Sequence, residues 1–175
     1  RAITANDRRI LDVGLDQANG RYVMNLDRLK SMLTPRTKVV LLCSPHNPGG
    51  TCWTPAELKA LAEVCIEKNL ILVSDEIHCD LVFKGAKHTP TLVAAPEVAD
   101  RLITCVAATK TFNLAGAHVG ACVTSNAEIK KKLDQRCIAA GVASYNLFGM
   151  VATEAAWRTG EAWLDALLPY LQKNR

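Results

Sequence analysis

A chain of 175 residues, 49% hydrophobic and 22% charged, has the size of one domain and enough apolar mass for a buried core. That balance, with no low-complexity tract, excludes a disordered segment. A net charge of +4, whose one basic cluster is Lys130-Lys131-Lys132 on a predicted solvated helix face, argues against nucleic-acid binding.

No apolar run approaches the roughly 18 residues of a membrane span. Seven cysteines, at positions 43, 52, 65, 79, 105, 122 and 137, form no CxxC pair and lie mostly in apolar runs. They read as reduced, buried thiols of a cytoplasmic protein rather than a disulfide frame. His78-Cys79 lacks the second spaced pair that a zinc site requires, so no metal is expected. Arg1-Ala2-Ile3-Thr4 carries neither an initiator Met nor a signal-peptide core and reads as a cut end.

In chain order, Val39-Val40-Leu41-Leu42-Cys43 is a short apolar run ending in Ser44-Pro45, the pattern of a strand buried on both faces. Thr54-Pro55-Ala56-Glu57 combines an N-cap Thr, a Pro at the first helical position and a capping-box Glu. A helix is predicted from there, with Leu58, Leu61, Ala62 and Cys65 on one face. Leu70–Ser74 is a second predicted buried strand, ending at Asp75. Leu102–Val106 is a third, ending just before Lys110, and Val119–Thr124 is a fourth after a Gly-containing loop. Ser125-Asn126-Ala127-Glu128 reads as a second capping box, opening a helix that places Ile129, Leu133 and Cys137 together. Two further helices, over 146–158 and 161–173, are separated by Gly160. Apolar strands alternating with capped helices predict an α/β fold with a mostly parallel sheet.

Three polar segments follow three of these strands: Ser44-Pro45-His46-Asn47-Pro48-Gly49-Gly50, Ser74-Asp75-Glu76-Ile77-His78, and Ala107-Ala108-Thr109-Lys110-Thr111-Phe112-Asn113-Leu114-Ala115-Gly116. Singly each has a plain reading. Asn-Pro-Gly-Gly is a turn signature, an Asp at a strand end is often a helix cap, and a loop Lys is usually solvated. Together, each behind an apolar strand, they bring an amide, a carboxylate and an amine to one rim of a parallel sheet, where such folds bind ligands.

The order PHNPGG, SDEIH, ATKTFNLAG resembles the fold-type I pyridoxal-phosphate (PLP) enzymes of the class I/II aminotransferase superfamily. Within it the similarity runs toward the MalY/PatB group of cystathionine β-lyase-like C–S lyases, along essentially the whole chain. The resemblance implies a three-layer α/β/α large domain, truncated here: residues 1–175 would be its central part, without the N-terminal segment and the C-terminal small domain. It implies PLP as cofactor, bound covalently by Lys110, with Asp75 on the pyridine nitrogen. Asn47 and His78 would meet the phenolic oxygen, a cis bond is expected before Pro48, and Thr109 would face the phosphate. Lys110 would then act as the base at the substrate Cα in an α,β-elimination.

Two departures from the family pattern stand out. Ala107 replaces a phosphate-binding Ser, and His118 replaces an Arg that many aminotransferases carry, an absence common among the C–S lyases. The resemblance further implies a small amino-acid substrate and a homodimer, with Tyr145-Asn146 serving the neighbouring subunit's phosphate site. A class I/II aminotransferase is the alternative activity. A regulatory role on the same fold, binding a transcription factor, is a second alternative.

Overall fold

The computed structural model describes residues 2–144 and 146–174. A helical turn, α1 (Ala2–Ala5), precedes a hairpin of β1 (Asp16–Ala18) and β2 (Arg21–Val23). Asn19 and Gly20 at its tip both take positive φ, 53° and 74°, the twist that a two-residue hairpin turn requires. Asn25 caps α2 (Leu26–Met32) by accepting from the Arg28 N–H.

The main sheet then begins with β3 (Val39–Cys43), followed by α3 (Pro55–Glu67), β4 (Ile71–Asp75), α4 (Thr91–Ala94), β5 (Leu102–Val106) and β6 (Ala121–Val123). The strand order is β3-β4-β5-β6; the first three are parallel and β6 is antiparallel. Three helices complete the described chain: α5 (Ala127–Ala139), α6 (Leu147–Thr159) and α7 (Glu161–Lys173). Helices lie on both sides of a mixed, mostly parallel sheet, the expected α/β arrangement.

The core forms where α3 meets one face of this sheet. The expected capping box is present in full, with Thr54 and Glu57 exchanging hydrogen bonds at the start of α3. Its apolar stripe, Leu58, Leu61, Ala62, Val64 and Cys65, packs against Leu42, Leu72 and Leu102. Each of the Leu and Val side chains contributes about 1.5–3 kcal/mol when fully buried. Arg21, from the hairpin, makes two 2.9 Å hydrogen bonds to Glu57 and so fastens β2 to the start of α3.

Four sequence expectations need correction. The buried strand expected over 119–124 is only Ala121–Val123, and all three residues are exposed. β3 is buried on one face only: Val39 is 49% and Leu41 60% exposed, because α3 covers the Val40–Leu42 side and β3 is an edge of the described sheet. The helix expected to start from a Ser125 capping box is instead capped by Asn126, which accepts from the Glu128 and Ile129 N–H groups. The Asn126 amide also donates to the Asp100 carbonyl at 2.7 Å, which fixes this side chain over the start of the helix. Finally, the cysteines are all free thiols, but only Cys65 is buried, and Cys122 and Cys137 are exposed.

Candidate functional site

Because β3, β4 and β5 are parallel, their C-terminal ends line one rim of the sheet. Cys43, Asp75 and Cys105 are cross-strand partners, and Cys122 extends the row onto β6. Register partners project to the same face. The Asp75 carboxylate therefore leaves the sheet opposite α3, flanked by thiols. The ladder runs one residue past the strands, with Ser44 N–H donating to the Asp75 carbonyl and Glu76 N–H to that of Cys105, each at 2.9 Å.

The first loop is held by its neighbours. Trp53 is buried and donates its indole N–H to the Cys43 carbonyl at 2.8 Å. The His46 ring lies between Tyr22 and Trp53, with centroids 6.0 and 5.8 Å away. Gly49 fits only as glycine: a Cβ there would come within 2.5 Å of the Tyr22 ring and 2.6 Å of that of His46. The peptide bonds before Pro45 and Pro48 are both cis, the second as expected from the sequence. Asn47 itself is exposed, and its amide nitrogen sits 3.4 Å from His78 Nε2.

The second loop carries Asp75, half-buried, whose Oδ1 accepts from the Ile77 N–H at 3.3 Å. Its neighbour Glu76 is buried. Glu76 Oε1 accepts from the Ser74 hydroxyl and the Thr91 N–H, each at 2.9 Å, while Oε2 lies 3.1 Å from His88 Nε2. Burial opposes ionisation of this carboxyl, but the bonds from His88, Thr91 and Ser74 outweigh it and hold the pKa below the ordinary value.

The third loop is one helical turn: Ala108 C=O accepts from Phe112 N–H, and Thr109 C=O from Leu114 N–H. Asn113, at φ 54°, ends the turn in the left-handed region. Thr111 is fully buried and donates its hydroxyl to Asp80 Oδ2 at 2.9 Å, tying this turn to the loop after β4. Phe112 packs against Gly160 and the Trp163 ring. Between these anchors Thr109 is half-buried and Lys110 exposed, the Lys110 amine having no hydrogen-bond or ion-pair partner among the described residues.

The structure thus brings Asn47 and His78 into contact and links the Thr109-Lys110 turn to the Asp75 loop through Thr111. No hydrogen bond joins Lys110 or Thr109 to Asp75 among the described residues. A cleft of about 520 Å³ is lined by Asn47, Pro48, His78, Val82 and Phe83, but by neither Asp75 nor Lys110. The carboxylate of Asp75, at the end of β4, and the amine of Lys110, in the segment that follows β5, lie outside this cleft, whose lining also includes Lys84. No cluster of metal-ligating side chains occurs among the described residues. Tyr145 lies outside them. Asn146 caps α6 by accepting from Gly149 N–H, and its amide donates to the Ala117 carbonyl at 2.8 Å.

Four contributors escaped the sequence reading: Glu76, His88, Asp80 and Thr111. A signal existed for the first, since a second acid beside Asp75, straight after a buried run, must find partners or be expelled. The Thr111–Asp80 bond spans 31 residues, and no local pattern announces it.

A family model described as aminotransferase class I and II matches residues 2–174. The chain is 37% identical to cystathionine beta-lyase PatB of Bacillus subtilis over 173 residues, which is 98% of this chain and 45% of that protein. It is 33% identical to the protein MalY of Escherichia coli, covering 99% of this chain and 44% of MalY. Among solved structures, cystalysin from Treponema denticola, which contains pyridoxal 5′-phosphate, superposes with a TM-score of 0.94 at 31% identity. The match covers 99% of this chain and 44% of cystalysin. The chain spans somewhat under half the length of these relatives.

Proposed function

Because this chain belongs to the class I and II aminotransferase family, we propose that it forms the cofactor-binding centre of a PLP-dependent C–S β-lyase. The reaction is α,β-elimination of a sulfur amino acid to a thiol, pyruvate and ammonia. The observation that supports this reading is that β3, β4 and β5 run parallel, so that Asn47, Asp75 and Lys110 each lie at or just past a strand end on the same edge of the sheet. Similarity to PatB, MalY and cystalysin supports the lyase assignment, as does His118 at a position where many aminotransferases carry Arg. Residues 1–175 are read as the central part of a larger PLP-binding domain, from a cytoplasmic homodimer acting on a small amino acid.

The donor set fits the cofactor. A half-buried carboxylate suits a protonated pyridine nitrogen, a primary amine suits the aldehyde, and the Asn47 amide beside His78 suits the phenolic oxygen. Phosphate ligation from this chain falls to Thr109 and loop N–H groups. The bound cofactor supplies an electron sink for negative charge at the substrate Cα.

The chain's own residues do the rest. Asp75 keeps a proton on the ring nitrogen by charge pairing. Asn47 and His78 fix the ring's orientation from the neighbouring loop. Lys110, on a turn anchored through Thr111 and Phe112, takes the proton from Cα. A thiolate is a good leaving group, so its departure from Cβ needs little acid assistance.

The test has two arms on the complete protein. Borohydride reduction followed by peptide mapping should locate a pyridoxyl group on Lys110; a group on any other lysine overturns the site. Cystathionine should yield pyruvate and free thiol without added keto acid. Product formation that instead requires 2-oxoglutarate would make the protein an aminotransferase.

A further inference from the structure

The row that carries Asp75 ends in two thiols with no role in the elimination. Cys105 on β5 and Cys122 on β6 are direct cross-strand partners in the antiparallel pair, and their sulfur atoms are 3.9 Å apart. They stand 17 positions apart in sequence and bracket the whole loop that carries Thr109, Lys110 and Thr111. We infer that Cys105 and Cys122 form a reversible disulfide, a peroxide-sensitive modification site that staples the base of the Lys110 loop.

The geometry suits bond formation. Directly opposed residues of an antiparallel pair have Cβ atoms roughly 4.5–5.5 Å apart, and a disulfide needs roughly 3.5–4.5 Å. A small closing of two strands already bonded to each other brings the sulfurs together without moving another element. The thiols are also unequal. Cys122 is exposed, whereas Cys105 is half-buried beside Asp75 and Glu76. The hydrogen bond between them favours a thiolate on Cys122 and disfavours one on Cys105; burial adds to the effect on Cys105.

The chemistry balances as a two-electron oxidation. The Cys122 thiolate attacks one oxygen of hydrogen peroxide; the O–O bond breaks, giving a sulfenic acid and hydroxide, which takes up a proton as water. The Cys105 sulfur then attacks the Cys122 sulfur and displaces the hydroxyl. The Cys105 proton leaves with it as the second water, and peroxide has been reduced at the expense of two thiols. An external thiol reverses the bond by exchange.

The experiment treats the complete protein with dilute hydrogen peroxide, blocks remaining thiols with iodoacetamide and maps the peptides before and after reduction. The expected result is one dominant thiol-reversible crosslink joining the Cys105 and Cys122 peptides, with slower amide exchange over residues 107–120. In Cys105→Ser, Cys122 should accumulate as a sulfenic acid trapped by dimedone. Full alkylation of both thiols after peroxide would overturn the inference. So would a crosslink of Cys122 to Cys137 or to a second chain, or direct passage of Cys122 to sulfinic acid. If the Ser variant does not fold, the crosslink map of the unsubstituted protein decides alone.

Discussion

Replacing Glu76 removes the shared acceptor of three groups at once. Its side chain, 4% exposed, serves the Ser74 hydroxyl, the Thr91 N–H and the His88 ring. Breaking such a buried pair from one side costs about 3–5 kcal/mol, a large part of the roughly 5–15 kcal/mol that holds a domain folded. Glu76→Ala should therefore unfold far earlier in urea. Glu76→Gln keeps an oxygen for Ser74 and Thr91 and offers an amide to His88, so only the charge is lost. The expected cost is about 1.5–3 kcal/mol.

The difference should also depend on pH. A carboxyl whose pKa is lowered in the folded state contributes stability above its unfolded value of about 4.3. It loses that contribution as pH falls through the folded value. Urea midpoints of wild type and Gln variant should thus be well separated at neutral pH and converge in acid. A separation that does not change with pH, or none at pH 7, would refute the role assigned to the charge.

Three further outcomes follow from the same contacts. Thr111→Val keeps the buried volume but deprives Asp80 of its donor, costing about 1.5–3 kcal/mol, whereas Thr111→Ser loses one methyl, about 0.8 kcal/mol. A denaturation series that ranks Ser below Val would contradict the bond. Gly49→Ala forces a methyl into the Tyr22 and His46 rings and should cost about 1–3 kcal/mol by overpacking; Tyr22→Ala in the same chain should recover part of it in a double-mutant cycle. Asp75→Asn should still allow a reduced adduct at Lys110 but slow elimination by roughly ten- to a hundredfold, the equivalent of about 1.5–3 kcal/mol of charge-assisted bonding. An unchanged rate would remove Asp75 from the site.

What the sequence revealed follows the range of the forces involved. Apolar runs and capping residues are local, so β4, β5, α3 and α7 lie where their patterns predict. Burial on the second face is not local. Val39 and Leu41 have the composition of a two-sided strand, yet what covers them depends on neighbours far along the chain. The Asn19-Gly20 pair is a strong hairpin turn signal, but its flanking strands of three residues are too short to show a period. Asn126 rather than Ser125 is the cap, its amide N–H held by the Asp100 carbonyl, 26 residues away, while its oxygen accepts from the helix.

The same distinction of range organises the candidate site. None of Asn47, Asp75 and Lys110 sits in a dense network, but each is next to a residue that does. His46 is wedged between two aromatic rings, Glu76 bonds three partners, and Thr111 is buried on Asp80. A side chain that must exchange protons or partners with a ligand is costly to tie down, since each bond would have to break before the ligand binds. Fixing the adjacent residue holds the backbone, and with it the Cα–Cβ direction, while leaving the functional atoms free. Substitutions at His46, Glu76 or Thr111 should therefore weaken ligand binding through loss of position. The chemistry at the rim should keep its pH profile when Thr111 is changed, because that hydroxyl supplies no proton to the reaction.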